Sequence, residues 1–179
     1  MKFKGSIRII IFLLVLAANV IVDQETKAMM RRHINIYDQY HFFNNHVTLL
    51  RVENTGAFLS LGDKLVQPFR FIVLTLIPVL ALAGALVYSL AKKGLSNLMV
   101  TGIIFCIGGG VGNLYDRITK GSVTDFIHLK FGPLQTGIFN AADVSIMIGV
   151  SLIVLDTFLR RKENKEAEEP FVVKENTVE

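Results

Sequence analysis

The run LSNLMVTGIIFCIGGGVGNLYDR, residues 95–117, decides the fold, because it carries no charge until Asp116. A helix needs roughly 20 predominantly apolar residues to cross a bilayer, and this run supplies them before turning polar. Three other stretches share its character, at residues 7–22, 69–91 and 138–159. Over 179 residues the hydrophobic fraction is 51% and the mean hydropathy +0.48, more apolar than an ordinary soluble domain. The sequence therefore predicts an integral membrane protein, mainly α, with four transmembrane helices. The first span, led by Lys2, Lys4 and Arg8 and followed by Ala17 and Ala18, has some features of a signal peptide. With three spans after it, it reads as a retained anchor.

Charge density gives the expected orientation. Lys2, Lys4, Arg8, Lys92, Lys93, Arg160, Arg161, Lys162 and Lys165 crowd into short flanks, whereas the basic residues of 24–68 and 116–137 are spread over longer connections. Dense short flanks belong on the cytoplasmic side, so both termini are expected inside and both longer connections outside. Asp23, Asp116, Asp125 and Asp143 then share the outer side, and Asp156 reads as an interfacial carboxylate near Arg160. The net charge of +4 reports orientation, and no basic cluster alternates with aromatics as nucleic-acid binding would ask.

Within the connections, HVTLLRV at 46–52 alternates like a strand or hairpin, and SVTDFI at 122–127 is a second extended candidate. After Arg160 the Glu/Lys-rich segment 160–179 has the composition of a disordered charged tail. Cys106 has no second thiol, and His33, His41, His46 and His128 form no HExxH pair. A disulfide and a zinc hydrolase are therefore not expected. Ser60 with Lys64 reads as a surface turn rather than a nucleophile and its base.

The chemistry gathers at the span ends. In GGGVGNLYDR, residues 108–117, the glycines read as helix-packing positions. Asn113 and Asp116 lie on neighbouring faces, and Arg117 is placed to pair with a carboxylate near the interface. Asp116 and Arg117 read equally as a salt-bridged helix end or as support for a site. In FNAADVSI, residues 139–146, Asn140 suits a cap, whereas Asp143 lies a turn into apolar sequence, where a cap alone explains it poorly. Asp125 reads as a turn carboxylate or as Asp143's partner. Two carboxylates sharing a site repel, which raises one pKa and leaves one protonated and one ionised. That state suits amide hydrolysis by activated water without a metal. Intramembrane acids also mark ion pathways, but here they gather at one interface and no repeat of spans is visible.

The blocks DQETK (23–27), NTGAFLS (54–60), GNLYDR (112–117), VTDF (123–126) and FNAAD (139–143) resemble the lipoprotein signal peptidases, also called signal peptidase II. The resemblance covers nearly the whole chain up to the tail. It implies a four-helix membrane aspartic endopeptidase over residues 1–159, with a small extracytoplasmic β-cradle near 28–68. It also implies a catalytic dyad of Asp125 and Asp143. Asn54, Gly56, Asn113, Asp116, Arg117 and Asn140 match positions that support the dyad or contact substrate, and Asp23 and Lys27 a site-shaping block. The implied substrate is a bacterial prolipoprotein carrying diacylglycerol on its cysteine, cut on the amino side of that residue. The implied setting is the bacterial inner membrane, with membrane lipid around a monomer and no cofactor, metal or nucleic acid. Phe58 and Leu59 depart from the commoner pattern of a small residue followed by an aromatic, which touches pocket shape more than reaction.

Overall fold

The computed structural model describes the backbone of residues 5–56 and 65–168. Among these, four long helices carry the chain: α1 (Gly5–His33), α2 (Phe69–Ala91), α3 (Asn97–Lys120) and α4 (Ala141–Glu168). Each contains a window long and apolar enough to cross a membrane. A four-stranded antiparallel sheet, β1 (Gln39–Phe42), β2 (Val47–Asn54), β3 (Val123–Phe131) and β4 (Leu134–Gln135), is ordered as in the sequence, two strands from the α1–α2 connection and two from the α3–α4 connection.

The expected spans are all present, but α1 runs well past the predicted end at residue 22. Asp23 and Lys27 are therefore helical rather than beyond a span end. Arg31, Arg32 and His33 fill the last turn of α1, where cations meet the helix's negative pole. The sheet begins after α1, at Gln39, and takes half its strands from the second connection, which holds the extended piece expected at 122–127. At the other end α4 continues unbroken through residues 160–168, so this part of the predicted disordered tail is helix. Residues 169–179 lie outside the described residues, as do Phe58, Leu59, Ser60 and Lys64.

Helix α3 is the axis of the bundle: 56% of its apolar window is buried, against 6% for α2. Val100, Ile103, Ile104 and Ile107 of α3 pack with Phe12 of α1, and Leu82, Ala85 and Ile153 close the cluster. Ser96 caps α3 by accepting from Met99 N at 2.9 Å, and Gly121, at φ 77°, ends it in the left-handed conformation. Glycine lets the neighbours come close. A Cβ on Gly149 would lie 2.6 Å from Cys106 Sγ, and one on Gly102 2.8 Å from Gly149 O. Gly108 abuts Asn19 and Gly110 abuts Leu82, so the packing reading of the glycine run holds. In α2, Pro78 lacks an N–H, and a wider π turn at Ile72–Leu76 precedes it.

Candidate active site

Two backbone devices bring the distant acids together. Phe139, just before α4, is bridged to β3: its N–H donates to Ile127 O at 2.9 Å, and its carbonyl accepts from both Phe126 N and Ile127 N, at 3.0 and 2.9 Å. Two successive N–H groups on one carbonyl form a β-bulge. The β2–β3 register slips at the same place, between Leu49–Ile127 and Val52–Asp125. The slip changes which face the side chains take, so Asp125 lines the same cleft as His128 and Lys130.

The second device is the start of α4. Asn140 Oδ1 accepts from Asp143 N at 3.0 Å, and Asp143 Oδ2 accepts from Asn140 N at 3.0 Å, a reciprocal capping box. Asp143 is therefore part of a cap after all. Its other oxygen, Oδ1, accepts from Asn113 Nδ2 at 2.9 Å, which ties it to α3.

Asparagine amides link the two aspartates. Asn140 Nδ2 donates to Asp125 Oδ1 at 2.6 Å and lies 3.2 Å from Asn113 Oδ1, while Asn54 Nδ2 donates to Asp125 Oδ2 at 2.9 Å. Asn54 is itself oriented by Gly56 N, 3.0 Å from its Oδ1. Burial pushes the Asp125 carboxyl up to about 6. The hydrogen bond from Asn54 opposes this, the charge of Asp143 adds to it, and Asn140 and Lys27 pull back.

Beneath this pair lies a buried charge cluster. Lys27 Nζ donates to Asp23 Oδ2 and Asn113 Oδ1, both at 2.8 Å, and pairs with Asp116 Oδ2 at 3.1 Å. Lys27, Asp23 and Asp116 are fully buried. Asp23 Oδ1 also accepts from Ala142 N at 3.0 Å, placing a carboxylate on the positive pole of α4. Asp116 is further paired with Lys120 and Arg31. The close approach depends on small residues: a Cβ on Gly112 would collide with the Asp23 carboxylate, and one on Gly109 with Ala142 O.

All ten residues singled out in the sequence thus fall in one connected region. Arg117 differs from expectation in its partner. It donates to Gly56 O at 3.1 Å, with Nε buried and unpartnered, and it lies within the fields of Asp143, Asp125 and Asp116. The sequence reading missed Arg31, whose Nη1 donates to buried Thr124 Oγ1 at 2.9 Å, and Glu53, whose carboxylate lies 3.1 Å from both Thr124 Oγ1 and Ser122 Oγ. The signal was present: Asn19, Asp23, Lys27 and Arg31 recur every four residues, a polar stripe on one helix face.

Each aspartate also borders its own cavity. Asp125 and Asn54 line a cleft of about 790 Å³ on the sheet, with Leu50, Val52, His128 and Lys130. Asp143 heads a smaller apolar groove along α4.

Fold and site together define a multi-pass membrane protein with a buried carboxylate site beside a small sheet. Comparison with known proteins makes this specific. The family described as Signal peptidase (SPase) II matches residues 15–159. Lipoprotein signal peptidase of Aquifex aeolicus is 32% identical, covering 87% of this chain and 86% of its own length. That of Streptococcus pneumoniae is also 32% identical, with coverages of 87% and 94%. A solved bacterial membrane enzyme at 2.3 Å resolution superposes with a TM-score of 0.75 at 27% identity, covering 90% of this chain and 94% of that one. The chain belongs to the signal peptidase II family, and it is a peptidase.

Proposed function

We propose that this peptidase removes the signal peptide from diacylglyceryl-modified prolipoproteins, cutting on the amino side of the lipidated cysteine with water activated between Asp125 and Asp143. The observation that carries the reading is the amide bridge: Asn140 and Asn113 hold both carboxylates, and the Asp125 carboxyl is pushed up to about 6. The protonated carboxyl gives its proton to the scissile carbonyl oxygen. The ionised one takes a proton from water as the water oxygen bonds to the carbonyl carbon. The C–N bond of the resulting gem-diol then breaks as the cysteine nitrogen takes a proton from the first-formed acid and the gem-diol returns one to its partner. The products are the carboxyl end of the signal peptide and the free amino group of the lipidated cysteine. The two acids end as they began, titrating as a pair.

Asn54, Gly56, Asn113, Asn140 and Arg117 orient the dyad or contact substrate, and Asp23, Lys27 and Asp116 hold the helices that carry them. The density of positive charge on the short flanks supports an inner-membrane protein with both termini in the cytoplasm and the site near the outer face.

The test is cleavage of matched precursor peptides by the purified protein, with and without chelator. The lipidated peptide should be cut before its cysteine, the unlipidated one left intact, and chelator should have no effect. Equal cleavage of both peptides, or loss of activity with chelator, would overturn the reading.

A further inference from the structure

Glu53 and Thr124 stand directly opposite each other in the β2–β3 register, and each is one residue from the site: Glu53 precedes Asn54, and Thr124 precedes Asp125. Side chains alternate along a strand, so these two point away from the cleft that Asn54 and Asp125 line. There Thr124 is fully buried, and its hydroxyl is used twice. It accepts from Arg31 Nη1 at 2.9 Å and donates to Glu53 Oε2 at 3.1 Å. Both bonds are charge-assisted, and such bonds are roughly twice as strong as neutral ones. Arg51 closes the circuit, donating through Nε to Glu53 Oε1 at 3.0 Å and through Nη1 to the carbonyl of Arg31 at 3.2 Å. One ring of side chains thus ties the end of β2, the start of β3 and the last turn of α1 together.

We propose that Thr124 is a positioning residue for Asp125, acting through this ring of Arg31, Glu53 and Arg51; the inference rests on the function proposed above. Asp125 Oδ2 receives Asn54 Nδ2 at 2.9 Å across the two strands. The strand ladder sets the spacing of their backbones. What it leaves open is their place over the helices, and the ring supplies that. Lys27 reaches Asp143 through Asn113, and Arg31, four residues on, reaches the residue before Asp125 through the Thr124 hydroxyl. One face of α1 therefore registers both carboxylates, which gives the polar stripe from Asp23 to Arg31 a single purpose. Thr124 itself does not line the cleft, so its loss acts on turnover and not on binding. Valine keeps the branched shape that suits a strand and removes only the hydrogen bonds.

The test is a double-mutant cycle on the full chain, with a lipidated precursor peptide as substrate. Thr124→Val should lower kcat roughly tenfold and leave KM unchanged, since misplacing a reacting group costs rate rather than affinity. Thr124→Ser keeps the hydroxyl and should stay within about twofold of the parent. In an Asn54→Ala background the contact being held is already gone, so there Thr124→Val should cost less than about twofold more. Glu53→Met, which removes the acceptor at a part-exposed position, should show the same dependence on Asn54 and covers the case in which Thr124→Val does not fold. An equally large loss in both backgrounds, a raised KM with kcat kept, a serine variant as slow as the valine one, or full activity of Glu53→Met would overturn the positioning role while lipid-dependent cleavage stands. Cleavage of unlipidated peptide by the parent as fast as lipidated would instead overturn the function on which that role depends.

Discussion

Two pairs of aspartates lie side by side in this protein, and they are treated in opposite ways. Between Asp23 and Asp116 stands Lys27, a buried cation 2.8 Å from one and 3.1 Å from the other. Between Asp125 and Asp143 stand Asn140 and Asn113, neutral amides that donate to the carboxylates without neutralising them. The ammonium ion-pairs directly with both neighbouring carboxylates. Amides satisfy the oxygens while leaving the proton free to move. The first arrangement builds a fixed joint between α1 and α3, and the second holds the pair proposed to exchange protons. Asn113 belongs to both, accepting from Lys27 and donating to Asp143, so the joint orients the proposed reactive pair.

The largest expected effect comes from making the reactive pair uncharged. Asp125→Asn and Asp143→Asn should each lower kcat/KM for a lipidated peptide by roughly 10³-fold or more, with the inserted fold retained by circular dichroism. Full activity in either variant would remove that residue from the dyad. Next is removal of the cation: Lys27→Met leaves two carboxylates buried without it and should cost roughly 3–5 kcal/mol in unfolding measured in detergent. Adding Asp23→Asn should return part of that loss, which a purely steric defect would not allow.

A smaller effect sharpens the contrast through pH. Burial pushes the Asp125 carboxyl up to about 6, so below that pH it holds the proton that the carbonyl needs and above it the proton is lost. The free enzyme's kcat/KM should therefore fall as pH rises through that region. Asn54 stabilises the ionised form, so Asn54→Ala should move the limb upward; a downward shift in a pH–rate profile would contradict the assignment. Least affected should be the remote pair at the other end of α4. Asp156 there takes the Ser96 hydroxyl and pairs with Arg160 at 2.9 Å. Arg160 is 48% exposed, so Arg160→Gln should change stability by less than about 1 kcal/mol and cleavage not at all.

The hydropathy pattern alone made four spans, the two strand segments and the gathering of acids at span ends legible. It also marked Asp156 as a neighbour of Arg160. The limits of that reading have physical causes. Hydropathy falls at Asp23 although the helix continues, so the polar stripe from Asn19 to Arg31 was cut in two and Arg31 was lost. Cap and site looked like alternatives for Asp143 because each explains a buried carboxylate. A carboxylate has two oxygens, and here one serves each purpose.

By itself the sequence determined the membrane-spanning character, the spacing of the chemistry-bearing residues and the cost of burying them, because these depend on local composition and period. Only the tertiary structure decided which oxygen meets which donor. Lys27 and Asn113 are 86 positions apart, and Asn54 and Asp125 are 71. Such contacts follow from glycine-mediated helix packing and from a bulge in β3, which no local pattern records. That is why five aspartates spread along the chain, Asp23, Asp116, Asp125, Asp143 and Asp156, became a fixed joint, the proposed reactive pair and a remote staple.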